Sequence, residues 1–257
     1  MMAMGRLLVA LRPGAAQALM DGAEARNRLD QLMLAGLVMK HKRAGTLDRL
    51  NHLHKNYWEG ELAVAYHEER ANRLLTQFMS FHADMLEHLR RVVSSGEFDT
   101  LIELGCGSGL LLEYLSSRLP PIKRFIGLDL NAEQTERNQA RAASATVRFE
   151  VGDMTTWVPE HTRAGQVYLA YGGVLEYLTQ EQLETLFSHM GAQVPACIAL
   201  VEPMGDFDLN RETASRPHGR EYSLAHHYPR ALEAAGFEVQ FSQTCAAGYL
   251  RVVAIKK

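Results

Sequence analysis

Leu101-Ile-Glu-Leu-Gly-Cys-Gly-Ser-Gly109 runs straight into Leu110-Leu-Leu-Glu-Tyr-Leu115. The first half is a short apolar run ending in an acid, which reads as a buried strand. Gly105, Gly107 and Gly109 then permit a tight turn and let backbone approach a ligand, whose anionic end can rest on the free N–H groups of the helix that follows. Strand, glycine turn and helix in that order are the opening unit of an α/β fold.

Downstream the same alternation repeats. Strands are expected at Thr100 to Leu104, Arg124 to Asp129, Val147 to Val151, Val167 to Tyr171, Ile198 to Glu202, Phe237 to Ser242 and Leu250 to Ile255. Helices are expected near Leu110 to Arg118, Ala132 to Ala143, Gln180 to Met190 and Leu224 to Ala235. Such alternation builds a mostly parallel sheet covered on both faces. The last two strands lie too close together for a crossover helix, so they must pair antiparallel.

Upstream, from Asp21 to Val93, the spacing is helical. Leu75, Phe78, Met79, Met85, Leu86, Leu89, Val92 and Val93 read as one apolar stripe, with Asp21 and Thr46 as helix N-caps and Gly96 as a closing glycine. Two or three helices are expected there, giving a helical extension over residues 1–96 and an α/β domain over 97–257.

The 257 residues, 47% hydrophobic and 22% charged, are enough for one large core. A net charge of -3 and a pI near 6.4 offer no basic surface for nucleic acid. Cys106, Cys197 and Cys245 form no Cys-x-x-Cys pair and read as buried thiols of a cytoplasmic protein. No stretch reaches membrane-spanning length, and Arg12 and Pro13 cut the first apolar run below that of a signal peptide.

A dinucleotide fingerprint would place a small residue where Leu110 stands. Glu103, two residues before the first glycine, would also repel a pyrophosphate by about 1 to 4 kcal/mol. The same carboxylate suits a cationic ligand. S-adenosylmethionine matches the remaining acids group by group. Glu103 accepts from its ammonium and the glycine turn faces its carboxylate. Asp129, closing the second strand, accepts the ribose hydroxyls, and Leu130 flanks the adenine. Asp153 accepts from the adenine amino group while the Met154 N–H donates to the ring, and Tyr171 completes the set. Each acid taken singly also reads as a helix cap or a solvated residue.

With these residues in order, the segment from 97 to 257 resembles a class I S-adenosylmethionine-dependent methyltransferase of the small-molecule type. The matching pieces are Glu103-Leu-Gly-Cys-Gly-Ser-Gly109, Gly127-Leu-Asp129, Gly152-Asp153, Gly172-Gly-Val-Leu-Glu-Tyr-Leu178, Ala231-Leu-Glu-Ala-Ala-Gly-Phe-Glu-Val239 and Tyr249-Leu-Arg-Val-Val-Ala-Ile255. The resemblance implies a Rossmann-like sheet of order 3-2-1-4-5-7-6 with strand 7 antiparallel. Tyr57, Trp58 and Tyr66 resemble the aromatic cap of small-molecule members.

Acceptor chemistry belongs on the loops after strands four and five. No Asn/Asp-Pro-Pro-aromatic motif and no magnesium-site Asp stands there, so metal-free transfer to oxygen or nitrogen of a small molecule is expected. Glu176 reads either as a base or orienting group or as an exposed helix residue. His226 and His227 read either as a base or as surface residues at the start of a helix capped by Ser223. The polar run from Pro203 to Tyr222, with Asp206, Asp208, Arg211, Arg216, His218 and Arg220, reads as a lid or a solvated loop. Its arginines point to an anionic acceptor. The helical extension is expected to cap the pocket or form a homodimer contact. Two alternatives stay open: an N-methyltransferase of an amino acid, peptide or protein side chain, and a non-catalytic S-adenosylmethionine-binding module.

Overall fold

The computed structural model describes residues 2–21, 23, 27–44, 47–218, 223–245 and 248–257. The chain forms two compact units, 1–63 and 64–257.

Among the described residues six helices precede the sheet: α1 (Met2–Leu11), α2 (Pro13–Met20), α3 (Arg28–Ala44), α4 (Leu47–Glu59), α5 (Glu61–Phe81) and α6 (Ala83–Val93). Two or three were expected. The extra breaks fall at Arg12-Pro13, where proline suits a new first turn, at Gly60, and at His82. Asp21 closes α2 with its backbone N–H and starts no helix; Thr46 lies outside the described residues. The presumed single stripe is two stripes divided at His82, which leaves Met79 exposed while Phe78, Met85 and Leu89 are buried. In the first unit α1 crosses α3 at Gly5 and Gly36, where a Cβ on Gly36 would lie 2.4 Å from the Gly5 carbonyl carbon. Ala16, Leu19, Met20, Met33 and Leu37 form that unit's core.

The sheet strands are β1 (Thr100–Leu104), β2 (Arg124–Asp129), β3 (Val147–Val151), β4 (Gln166–Tyr171), β5 (Ala196–Pro203), β8 (Glu238–Thr244) and β9 (Tyr249–Lys256), in the order β3-β2-β1-β4-β5-β9-β8. β9 runs antiparallel to both neighbours, so the expected order and the antiparallel last strand hold, with β8 and β9 as the sixth and seventh strands of the sheet. The two numbers between them belong to a separate ribbon, β6 (Arg216–His218) with β7 (Ser223–Ala225). This ribbon corrects the expected helix start: Ser223 lies in β7, and the helix begins at Tyr228, capped by His227, whose side chain accepts from the Arg230 N–H at 3.2 Å. Strands of three residues are too short to leave a periodicity, and helical spacing was read through them.

Alternate residues feed two apolar layers. Leu101, Val167, Leu169, Ala199 and Val253 pack with Met85, Leu89 and Val93 of α6 and with α7 (Leu110–Ser116). Ile102, Leu104, Ala170, Leu200 and Val252 pack with Leu183 and Phe187 of α10 (Gln180–Met190) and Leu232 of α11 (Tyr228–Ala234). Every residue of β1 is buried. Between β2 and β3 lies α8 (Ala132–Arg141), and between β3 and β4 lies α9 (Met154–His161). Because β1 pairs with β2 on one side and β4 on the other, the chain reverses direction across the sheet there, and a crevice opens at the carboxyl ends of those strands. Among the described residues no helix is long and apolar enough to cross a membrane.

Candidate active site

Gly105, Gly107 and Gly109 all have positive φ, at 60°, 47° and 71°. Each also meets a different neighbour. A Cβ at Gly105 would come 2.8 Å from a Val174 methyl, at Gly107 2.6 Å from His67 Nδ1, and at Gly109 2.5 Å from the Phe149 ring. Gly109 caps α7 without a side chain, so the first turn of that helix presents backbone N–H groups.

Asp129 is buried and fastens the turn from beneath. Its Oδ2 accepts from the Gly107 N–H at 2.8 Å and its Oδ1 from the Asn131 N–H at 3.0 Å. One bond to each oxygen leaves acceptor capacity on both. Glu103 is buried too, and its Oε2 has no hydrogen-bond partner. Burial, and then the Asp129 charge, push its carboxyl up to about 8, opposed by the Leu112 N–H. A buried carboxylate oxygen without a donor is costly. A cationic group beside it removes that cost, and Glu103 therefore fits the ammonium of S-adenosylmethionine.

Residues that sequence reading passed over complete this side. Asn138 Nδ2 donates to the Gly107 carbonyl at 2.7 Å and Gln134 Nε2 to Asn138 Oδ1 at 2.9 Å. Asn131, Gln134, Thr135 and Asn138 are all buried. Polar side chains recurring three or four apart in a helix of low hydrophobicity were the available signal. Asp153 caps α9, its Oδ1 accepting from the Thr155 N–H at 2.8 Å and the Thr155 hydroxyl at 2.7 Å. Leu130 and Met154 are half-buried. The Tyr171 hydroxyl donates to the Leu74 carbonyl of α5 at 2.9 Å, and its ring meets Phe78 edge-on at 5.2 Å.

Across the crevice, Gly172 and Gly173 turn β4 into a single 3-10 turn, Leu175–Tyr177. Glu202, fully buried at the end of β5, accepts from the Val174 and Leu175 N–H groups at 3.2 Å. Burial, and then the Glu176 charge, push it up to about 8. Glu176 is buried and not the exposed helix residue of one reading; its Oε2 lies 3.1 Å from His218 Nε2, which also lies 3.2 Å from the Ser223 hydroxyl. His226 is buried as well, so the surface reading fails for it. Its Nδ1 lies 2.6 Å from the Ser215 hydroxyl, and burial holds its pKa down at about 4. His227 is the helix cap already described.

Arg211 pairs with Asp208, and Arg216 with Glu212 and Asp206. Arg220 lies outside the described residues. Cys106 and Cys197 are buried free thiols, whereas Cys245 is only half-buried, on the bend before β9. Among the described residues no group of three or more His, Cys, Asp or Glu side chains is arranged to hold a metal ion.

A seven-stranded sheet with this final hairpin, a glycine turn after β1 and acids at or near the ends of β1, β2 and β3 define a Rossmann-like α/β domain. Residues 101–194 match the family described as a methyltransferase domain. It is 30% identical over 145 residues to a trans-aconitate 2-methyltransferase of Variovorax paradoxus strain S110, covering 48% of this chain and 54% of that one. The chain thus matches about half the length of that curated relative. A chain in the complex between the Haloferax volcanii Trm112 methyltransferase activator and its methyltransferase shares the fold, with a TM-score of 0.58 at 16% identity, covering 77% of this chain and 95% of that one.

Proposed function

We propose that this protein transfers the methyl group of S-adenosylmethionine to an oxygen or nitrogen of a small-molecule acceptor without a metal. The observation that carries the cofactor half is the buried Glu103 carboxyl, whose Oε2 has no donor, beside the Asp129-anchored glycine turn. Glu103 would hold the ammonium, Asp129 the ribose hydroxyls, Leu130 and Met154 the adenine, Asp153 its amino group, and Tyr171 the wall toward the acceptor. S-adenosylmethionine supplies an electrophilic methyl on a sulfonium, so the chain's task is to hold an acceptor in line and take its proton.

Glu176 is the favoured proton acceptor, because His218 and the Gly172-Gly173 turn hold its carboxyl at the ends of β4 and β5. His226, whose pKa of about 4 makes it a weak base near neutrality, positions the segment around Ser215. The name of the Variovorax relative supports testing a carboxylate acceptor. The acid partners of Arg211 and Arg216 support testing neutral acceptors beside it. Calorimetry with S-adenosylhomocysteine, S-adenosylmethionine and NAD tests the cofactor. Labelled methyl transfer to trans-aconitate, phenols and amines tests the acceptor. Binding of NAD with neither sulfur ligand would overturn the proposal, and a bound cofactor with no transfer to any acceptor would favour a binding module.

A further inference from the structure

We infer that His67 of α5 is a cofactor-binding residue that closes the site over Gly107; the inference rests on the cofactor reading above. The imidazole is packed so closely on the glycine turn that a Cβ at Gly107 would lie 2.6 Å from Nδ1 and 2.8 Å from Cε1. The ring also feels the Asp129 charge, which opposes the downward pull of burial on its pKa. His67 therefore lies against the glycine turn, within reach of the charge of the acid that fastens it, the two groups read as facing the amino-acid and ribose portions of one ligand.

Its position is held from both ends of the same stretch of helix. Glu68 pairs with Arg137 of α8, and the Leu74 carbonyl accepts the Tyr171 hydroxyl at 2.9 Å. Phe78, one turn further on, is buried against Tyr171. From 67 to 78 the helix thus reaches α8, the glycine turn after β1 and the end of β4, and the side chain it sets over the glycine turn is His67. A neutral imidazole offers one donor and one acceptor, which suits a hydroxyl or carboxylate of a ligand placed at that junction.

The test uses the full chain and S-adenosylhomocysteine. Calorimetry on the wild type, His67→Ala and His67→Gln should show affinity falling about tenfold in His67→Ala, with part of it recovered in His67→Gln. In the wild type, the His67 ring resonance, identified by its absence from His67→Gln, should shift on saturation, a readout that does not depend on the variants' stability. Wild-type affinity in His67→Ala, or a resonance that stays in place while ligand binds, would overturn the inference. Failure of the wild type to bind would instead remove the cofactor reading itself.

Discussion

Replacing Glu103 by Gln tests the cofactor site through protons alone. In the free protein burial and Asp129 push the Glu103 carboxyl from an ordinary 4.5 up to about 8, so near pH 7 about nine-tenths of it is protonated. A bound ammonium favours the ionised form and should drive that proton off. Binding of S-adenosylhomocysteine near pH 7 should therefore release about 0.9 proton, seen as an apparent enthalpy that changes with the ionisation enthalpy of the buffer. Affinity should rise about tenfold per pH unit from about 6 to about 8 and then level off. Stability runs the opposite way. The folded pKa lies above the unfolded one, so the contribution is present below about 4.5 and is lost as pH climbs to about 8, by on the order of 5 kcal/mol. Glu103→Gln should abolish proton release, flatten the affinity profile, weaken binding and stabilise the ligand-free protein near pH 8. Buffer-independent enthalpy in the wild type, or a variant that binds as tightly without added stability, would refute the reasoning.

Three further outcomes follow from the same geometry. Asp129→Ala strands the buried Gly107 N–H and removes the acceptor of the Asn131 N–H, so stability should drop by about 1 to 3 kcal/mol and S-adenosylhomocysteine affinity should fall; unchanged affinity by calorimetry would remove the ribose assignment. Gly109→Ala places a Cβ 2.5 Å from the Phe149 ring at a φ of 71°, and urea unfolding should register a loss of about 1 to 3 kcal/mol, whereas a wild-type midpoint would mean that Phe149 moves aside freely. His226 is held near 4 against an unfolded 6.5, so its contribution is present above about 6.5 and lost as pH falls toward 4, on the order of 3 kcal/mol. His226→Phe should lose less stability than the wild type over that interval, and parallel acid profiles would show that the histidine is not kept neutral.

The sheet was legible because each strand is a short apolar run with a distinct boundary. β1, β2 and β3 begin and end at the expected residues, and β4, β5, β8 and β9 differ at their ends by one or two. The acids at β1 and β2 were legible for a related reason: a carboxylate closing a buried strand stands out against its neighbours. The acceptor side was not, because its defining contacts join distant segments. Nothing in Val201-Glu-Pro203 signals that Glu202 accepts the N–H groups of Val174 and Leu175, 28 and 27 residues earlier. His218 was visible only as one polar residue in a polar run, although its partner, Glu176, lies 42 residues away.

The glycine turn shows where local reading ends and tertiary structure takes over. In sequence the three glycines are equivalent, each a residue that tolerates positive φ and lets a ligand approach. In the fold each is also a joint. Gly105 receives Val174, which starts the turn carrying Glu176; Gly109 receives Phe149 of β3, the strand leading to Asp153; Gly107 receives His67 of α5. A side chain at any of the three would displace a different wall. The turn therefore sets the spacing between the turn carrying Glu176, β3 and α5, and that requirement would select glycine at all three positions even if φ alone did not.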